Sequence, residues 1–232
     1  DPDWSRGLGD VYKRQDAWDL FIKETSKPIS DFPFPKLNEY TQGIFPTQLF
    51  TVASGSGAGK STICRELAYH FLVKRNLKIG YIGLEESVQR TLQGLVGIDL
   101  NIPLHLAAEE TVDQDELKKS FDRLTSTRNL FLYNHFGSLE PDTLLEQIRY
   151  LATVDGVQII ILDHITIVTS GLDLDNERRA IDVTMTKLRS LCESTGIALI
   201  LVSHLRRPQG QAHEEGREIS TSDLKGSSGL LQ

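Results

Sequence analysis

One short segment of the sequence has the residue types and spacing that suit the binding of a phosphate chain. Its glycines allow successive backbone N–H groups to curl around an anion, and the predicted helix that follows adds a favourable N-terminal dipole. Lys60 would reach the β- and γ-phosphates of a nucleotide, and the Ser61 hydroxyl would bind Mg²⁺. The alternative is a flexible turn with a chance Lys-Ser pair, which the predicted strand before the segment disfavours. The segment reads Ser54-Gly55-Ser56-Gly57-Ala58-Gly59-Lys60-Ser61, with Ser54 in place of the usual first glycine.

A carboxylate follows the most apolar predicted strand. The run 159–162 consists of aliphatic residues, and Asp163 comes directly after it. An aspartate at this place in a phosphate-loop protein commonly binds the same Mg²⁺, directly or through water. Many strands end in aspartate, so the pattern depends on the phosphate loop for its meaning. His164, the next residue, is interpreted as a packed or hydrogen-bonded histidine and not as a ligand.

Two further polar residues follow predicted strands. Glu85 comes after the strand at 78–83 and could polarise the water that attacks a terminal phosphate. The alternative is an acid favoured by a helix N-terminus, and this alternative is preferred for Glu86. His204 follows the strand at 197–203 and could sense that phosphate, although a lone histidine at a strand end is more often structural.

The predicted elements explain how these residues would meet. Five short strands alternate with helices, which is typical of α/β proteins with a mostly parallel sheet covered by helices on both faces. Parallel strands all end at one edge of the sheet, where such folds bind ligands. Strands are predicted at 49–53, 78–83, 129–133, 157–163 and 197–203, and helices near 60–74, from about 87, after 113, and near 140–154 and 176–194.

Composition narrows the classes of protein to which the chain can belong. It has 232 residues, 39% hydrophobic and 25% charged, as in globular proteins and unlike disordered or fibrous ones. The net charge of −7 disfavours a broadly basic, polyanion-binding surface but allows a local basic loop. Two cysteines make no disulfide framework and favour a reducing compartment. No apolar run approaches the roughly 20 residues of a membrane-spanning helix.

Three regions are distinguished along the chain. Residues 1–15 lack periodicity and are predicted to be either a non-native extension or a disordered native tail. Residues 16–47 are predicted to form a short linker helix at 16–25 and then a lead-in loop rich in Pro, Ser and Thr. Residues 48–232 make up the predicted nucleotide-binding domain.

Taken in order, these motifs resemble the RecA-like motor domain of the hexameric replicative DNA helicases, of the type found in phage primase–helicases and mitochondrial Twinkle. The likeness covers about residues 40–232. Its most specific parts are the DHITIV and HEEG–DLKGS segments, because a phosphate loop alone is common to many ATPases. The matching strings are SGSGAGKST, GLEESV, ILDHITIV, ERRAIDVTMTKLRSL, VSHLRRP and AHEEGREISTSDLKGSSGLLQ.

The resemblance implies a RecA-like P-loop NTPase core that uses Mg²⁺ and ATP or another NTP to move 5′ to 3′ along single-stranded DNA and to unwind duplex DNA. It implies a homo-hexameric ring in the cytoplasm of a bacterial host, a primase domain and a DNA polymerase as partners, and no membrane association. The family continues with further strands and an arginine finger for the neighbouring subunit. This chain, truncated at its C-terminus by that standard, is therefore expected to hydrolyse nucleotide poorly alone.

The resemblance also assigns roles to individual residues. Glu85 becomes the catalytic base, Lys60 and His204 act at the γ-phosphate, and Ser61 and Asp163 bind Mg²⁺. The last residue of the chain would couple the nucleotide to the DNA-contacting loops. The nucleotide-binding set is Ser54, Gly55, Ser56, Gly57, Ala58, Gly59, Lys60, Ser61, Thr62 and Gln232, and the DNA-binding set is Arg206, Arg207, Lys225, Gly226 and Ser227.

Two other functions compete with the helicase interpretation. A RecA/RadA-type recombinase has the same core, and the HEEG–DLKGS tail argues against it. A non-catalytic, nucleotide-binding assembly module is the other alternative, and the presence of Lys60, Glu85 and Asp163 together argues against it.

Overall fold

Strands and helices alternate along the described part of the chain. The computed structural model describes residues 18, 27–55, 57–105, 112–134, 140–165 and 174–204. In chain order the elements are α1 (Pro35–Thr41), β1 (Leu49–Ser54), α2 (Lys60–Tyr69, continued by a π-helical turn, His70–Lys74), β2 (Ile79–Gly83), α3 (Val88–Leu100), α4 (Gln114–Thr125), β3 (Leu130–Tyr133), α5 (Pro141–Thr153), β4 (Ile159–Asp163), α6 (Leu174–Thr195) and β5 (Ala198–His204).

The five strands of the described residues form one parallel sheet in the order β1-β5-β4-β2-β3. This confirms the predicted fold class, and each strand begins and ends within two residues of its predicted range. Strands β4 and β5 lie inside the sheet and are buried along almost their whole length, which explains their continuous apolar runs. The carboxyl ends of β1, β5, β4 and β2 therefore lie side by side at one edge.

The hydrophobic core occupies both faces of this sheet, and β4 shows how it is divided. Ile159 and Ile161 belong to one buried cluster, whereas Ile160 and Leu162 belong to the other. This alternation follows from the two-residue period of a strand. The first cluster includes Cys64, Leu67 and Leu95 of α2 and α3, and the second includes Leu144, Ile148, Ile181 and Leu188 of α5 and α6.

Two helices begin at the capping residues that their sequences predict. The Ser87 side chain accepts a hydrogen bond of 3.3 Å from the Arg90 N–H at the start of α3. Asp113 accepts one of 2.8 Å from the Asp115 N–H at the start of α4. Among the described helices, none has the length and apolar character needed to cross a membrane.

The lead-in segment contains a helix that its composition does not predict. The sequence predicts a loop after residue 25, but α1 lies within it. Pro35 suits the first turn of a helix, where its missing N–H is not needed. The Asn38 side chain accepts a hydrogen bond from the Phe32 N–H and donates one to the Phe32 carbonyl, both of 2.7 Å. This contact fixes the entry to the helix and depends on residues six apart, which local composition does not show.

The lead-in segment packs on the sheet and helices. Ser30 and Ile44 form an antiparallel bridge, in which the Ile44 N–H donates to the Ser30 carbonyl at 2.8 Å. Phe32 and Ile44 are buried in the cluster that contains α2. Of the helix predicted at 16–25, the structure describes Trp18, which is helical and exposed. The rest of that prediction, and the one for residues 1–15, lie outside the described residues.

Candidate nucleotide-binding and catalytic site

The segment between β1 and α2 has the backbone of an anion-binding turn. Gly57 and Gly59 have φ angles of 74° and 85°, in the left-handed region that favours glycine. A Cβ at either position would meet nothing within 4 Å, so the backbone conformation, and not crowding, requires glycine there. Gly59 caps α2, which places the positive end of the helix dipole at the turn. Ser56, in the middle of the segment, lies outside the described residues.

Lys60 is the first residue of α2 and is only 7% exposed. Its ammonium group donates hydrogen bonds to the backbone carbonyls of Ser54 at 3.3 Å and Gly55 at 2.5 Å. The loop's own carbonyls therefore hold the ammonium within the turn. A positive charge fixed beside several backbone N–H groups is what a phosphate chain requires.

Ser61 and Asp163 supply oxygen atoms next to this turn. Asp163, the last residue of β4, is 4% exposed and accepts a hydrogen bond from the Ser61 hydroxyl. Burial raises the pKa of the Asp163 carboxyl, although this hydrogen bond and nearby His164 act in the opposite direction. A buried carboxylate next to a hydroxyl offers the hard oxygen ligands that Mg²⁺ prefers. The two residues thus fit the predicted magnesium site, whose occupancy stays a prediction.

The strand register explains why Glu85 and His204 meet beyond Asp163. Asp163 pairs with Gly83 in β2, and the preceding residue pairs with Leu201 in β5. Glu85 and His204 therefore each lie two residues past the level of Asp163 on the strands that flank it. At about 3.3 Å per residue, both extend roughly 7 Å beyond that level, at the same edge.

His164 connects these two residues. Its Nε2 atom lies 2.7 Å from Glu85 Oε1, and its ring lies edge-on against the His204 ring, with centroids 4.2 Å apart and planes at 87°. The His164 side chain is 6% exposed, whereas that of Glu85 is 53% exposed. A buried imidazole thus stands beside an exposed carboxylate and limits where it lies. The burial of His164 agrees with its interpretation as a packed histidine, but its contact with Glu85 depends on the strand order and was not predicted.

Glu86 is tied to the phosphate-loop helix. Arg65 of α2 donates two hydrogen bonds to the Glu86 carboxylate, which also accepts one of 2.8 Å from the Thr91 hydroxyl. The Arg65 and Glu86 side chains are 17% and 12% exposed. The prediction that Glu86 is a solvent-facing acid at a helix N-terminus is therefore wrong in its main point, because the carboxylate is largely buried in an ion pair. That pair fixes the segment that carries Glu85.

The site residues open into one cleft of about 1070 Å³. This volume is at the upper end of the roughly 300–1,000 Å³ usual for ligand pockets, so a nucleoside triphosphate fits. The structure brings together the predicted residues Gly57, Gly59, Lys60, Ser61, Thr62, Glu85, Asp163 and His204 around it. Predictions that lie outside the described residues concern Ser56, Arg206, Arg207, Lys225, Gly226, Ser227 and Gln232.

Comparison with known proteins identifies the family. The DnaB-like helicase C-terminal domain family matches residues 31–232. The chain belongs to this family. The DnaB-like domain is 38% identical over 207 residues to the DNA helicase/primase of Enterobacteria phage T3, covering 84% of this chain and 35% of that protein. It is 25% identical over 206 residues to the replicative DNA helicase DnaB of Leifsonia xyli subsp. xyli, covering 86% of this chain and 43% of that protein.

Solved structures show the same fold. The isolated ATPase domain of a DnaB-like helicase matches with a TM-score of 0.71 and 17% identity, covering 96% of this chain and 81% of that chain. A second DnaB-like replicative helicase, solved in a study of its interactions with primase, matches with a TM-score of 0.72 and 14% identity, covering 94% and 54%. These matches confirm a RecA-like ATPase fold for this DnaB-like domain.

The DnaB-like domain spans about a third of the length of the phage relative and less than half that of the bacterial one. Both relatives are helicases by name, and neither is a recombinase. The recombinase interpretation therefore gains no support from them. Members of this family are NTP-hydrolysing enzymes, in agreement with the predicted nucleotide site.

Proposed function

We propose that this chain is the motor domain of a replicative DNA helicase, which hydrolyses ATP or another NTP to move 5′ to 3′ along single-stranded DNA and unwind duplex DNA. One observation carries the proposal. In a member of the DnaB-like family, a phosphate loop, a buried carboxylate and an oriented glutamate line one cleft. None of these features alone separates hydrolysis from simple nucleotide binding, but their combination suits hydrolysis.

In this mechanism, Lys60 and the N–H groups of the phosphate loop bind the β- and γ-phosphates. Bound Mg²⁺, held by Ser61 and Asp163, would neutralise charge that develops on the phosphate oxygens. Glu85 orients the attacking water and accepts its proton. Its carboxylate oxygen lies 2.7 Å from buried His164, which limits the orientations that the carboxylate adopts.

His204 is proposed to report the state of the γ-phosphate. It lies at the end of β5, one strand from β1 and one strand from β4, so it borders both the phosphate loop and Asp163. The chain continues from His204 directly into the segment that holds Arg206 and Arg207. Loss of the phosphate would change the contacts of His204 and thereby the position of that segment, which is proposed to bind the DNA backbone together with Lys225, Gly226 and Ser227.

The proposed assembly is a homo-hexameric ring around single-stranded DNA. Gln232 would couple the nucleotide to the DNA-contacting loops. Similarity to a phage helicase/primase supports a primase domain as partner and action in the cytoplasm of a bacterial host. A DNA polymerase is proposed as a further partner on the resemblance alone.

The role of Glu85 is tested by Glu85→Gln in the full-length protein that carries this domain. Steady-state hydrolysis is measured with and without single-stranded DNA, and nucleotide affinity is measured separately by binding of a fluorescent analogue. Since a general base contributes about 10²–10⁴-fold, we expect kcat to fall at least 100-fold while nucleotide affinity is retained. Lys60→Ala should instead weaken binding, because it removes a positive charge from the phosphates.

A matched control is Glu116→Gln. Glu116 lies on α4, and its ion pair with Lys119 is exposed, with side chains 51% and 65% exposed. Such a pair contributes little to stability, so this variant should retain both hydrolysis and unwinding. If Glu85→Gln leaves DNA-stimulated hydrolysis unchanged, the catalytic proposal is wrong, and the non-catalytic assembly module becomes the better interpretation.

A further inference from the structure

We propose that Glu85, His164 and His204 form a binding site for a transition-metal ion such as Zn²⁺, separate from the Mg²⁺ site at Ser61 and Asp163. Occupation of this site would inhibit hydrolysis by withdrawing Glu85 from the attacking water. The binding of the ion depends on the cluster alone. Its inhibitory effect rests on the proposed function, in which Glu85 is the catalytic base.

The donor set is the first argument. One carboxylate oxygen and two imidazole nitrogens all lie within 4.8 Å of one another. Two histidines with one glutamate form a common set of protein ligands for zinc, with a fourth position left for water. Imidazole nitrogen favours Zn²⁺, Co²⁺ and Ni²⁺, whereas Mg²⁺ prefers oxygen ligands. Millimolar Mg²⁺ should therefore compete poorly at this cluster.

The geometry is the second argument. Ligand atoms on a tetrahedral zinc ion, bound at about 2.0 Å, lie about 3.3 Å apart. The Glu85–His164 pair, at 2.7 Å, needs to open by only about half an ångström to admit the ion. His164 is buried and fixed, while the exposed Glu85 carboxylate can adjust its position. His204 is partly buried at the end of β5, and the cleft offers the fourth position to water.

The consequence for catalysis follows from the same contacts. A carboxylate bound to a metal ion is a poor proton acceptor, and its oxygen is turned toward His164 and His204. The ion would also hold the His204 ring in place and so fix the residue proposed to follow the γ-phosphate. Inhibition by the transition ion should therefore persist when Mg²⁺ and nucleotide are saturating.

The test titrates this chain with Co²⁺ in the presence of millimolar Mg²⁺ and follows the visible absorption of four-coordinate cobalt, then displaces it with Zn²⁺. One ion per chain is expected at the cluster. Removal of a ligand by Glu85→Gln or His204→Asn should weaken binding by at least about tenfold, the lower end of what altered metal surroundings cost. Glu85 is exposed, so its replacement leaves the fold intact even where a change at buried His164 does not.

The matched control is His105→Asn, because His105 is an exposed histidine that lines the cleft but does not belong to the cluster. This variant should bind Co²⁺ as the native chain does. A spectrum that Glu85→Gln and His204→Asn leave unchanged overturns the proposal, as does the absence of a four-coordinate spectrum. If both variants lose the ion while Glu85→Gln keeps full hydrolysis in the full-length protein, the metal site stands and the proposed role of Glu85 fails.

Discussion

Replacing Gly94 by alanine tests whether the Arg65–Glu86 ion pair is a fixed part of the site's framework. Gly94 lies within α3, where alanine normally stabilises a helix by about 1 kcal/mol relative to glycine. Here, however, a Cβ at residue 94 would lie 2.4 Å from Arg65 Cδ and 2.7 Å from its Nε. These distances are far inside the roughly 3.5–4.0 Å of a favourable contact, so Arg65 must move away.

The size of the effect follows from what Arg65 loses. A hydrogen bond between charged groups contributes about 1.5–3 kcal/mol, and a buried charge left without its partner costs more. Thr91 keeps its hydrogen bond of 2.8 Å to Glu86, which places the loss at the lower end. After subtraction of the gain in helix propensity, Gly94→Ala should lower the free energy of unfolding by about 1–2 kcal/mol.

Urea unfolding of four proteins measures this: the native chain, Gly94→Ala, Arg65→Ala and the double variant. In the Arg65→Ala background the obstructing side chain is gone, so the alanine at residue 94 should stabilise the chain by up to about 1 kcal/mol. The reasoning therefore requires a change of sign between the two backgrounds. If Gly94→Ala stabilises the native background, Arg65 moves at no cost, and the ion pair is not a fixed part of the site.

Two further predictions concern single carboxylates. The hydrogen bond from Arg75 and contacts with His70 lower the pKa of Asp31 from its usual 3.8 to about 2. That carboxylate therefore stabilises the fold above about pH 4, and the stabilisation is lost as the pH falls toward 2. Because the side chain is 43% exposed, we expect Asp31→Asn to cost only about 1 kcal/mol at pH 5, with the difference shrinking in urea unfolding at lower pH. Burial raises the pKa of Asp163, so Asp163→Asn should raise the melting temperature by about 2–4 °C without nucleotide, while abolishing the further rise caused by Mg²⁺ and nucleotide; a lower melting temperature without nucleotide would contradict this reasoning.

The sheet and the phosphate loop are predictable from the sequence because their signals are local. The aliphatic run of β4 can be buried only in the middle of a covered sheet, and its bounds follow within two residues. The glycines of the phosphate loop stand next to the lysine that they serve. Asp163 and His204 follow from the rule that parallel strands end at one edge, which needs no knowledge of strand order.

The contacts that organise the site are not predictable in this way. Arg65 and Glu86 are separated by 21 residues, and the charges along the sequence do not say which arginine meets which acid. The approach of His164 to Glu85 depends on β2 and β4 being neighbours, which the order of elements along the chain leaves open. These tertiary contacts convert a list of polar residues into a site with a defined base.

The register of the sheet also sets where this protein can change in length. Ser54 pairs with His204, and Gly83 pairs with Asp163, so the phosphate loop, the buried carboxylate and the terminal histidine are aligned through the backbone. One codon inserted into or deleted from β4 or β5 would shift its last residue by about 3.3 Å and turn it to the opposite face. Natural insertions and engineered tags are therefore tolerated at the amino-terminal edge of the sheet, and excluded from the strands that lead to the cleft.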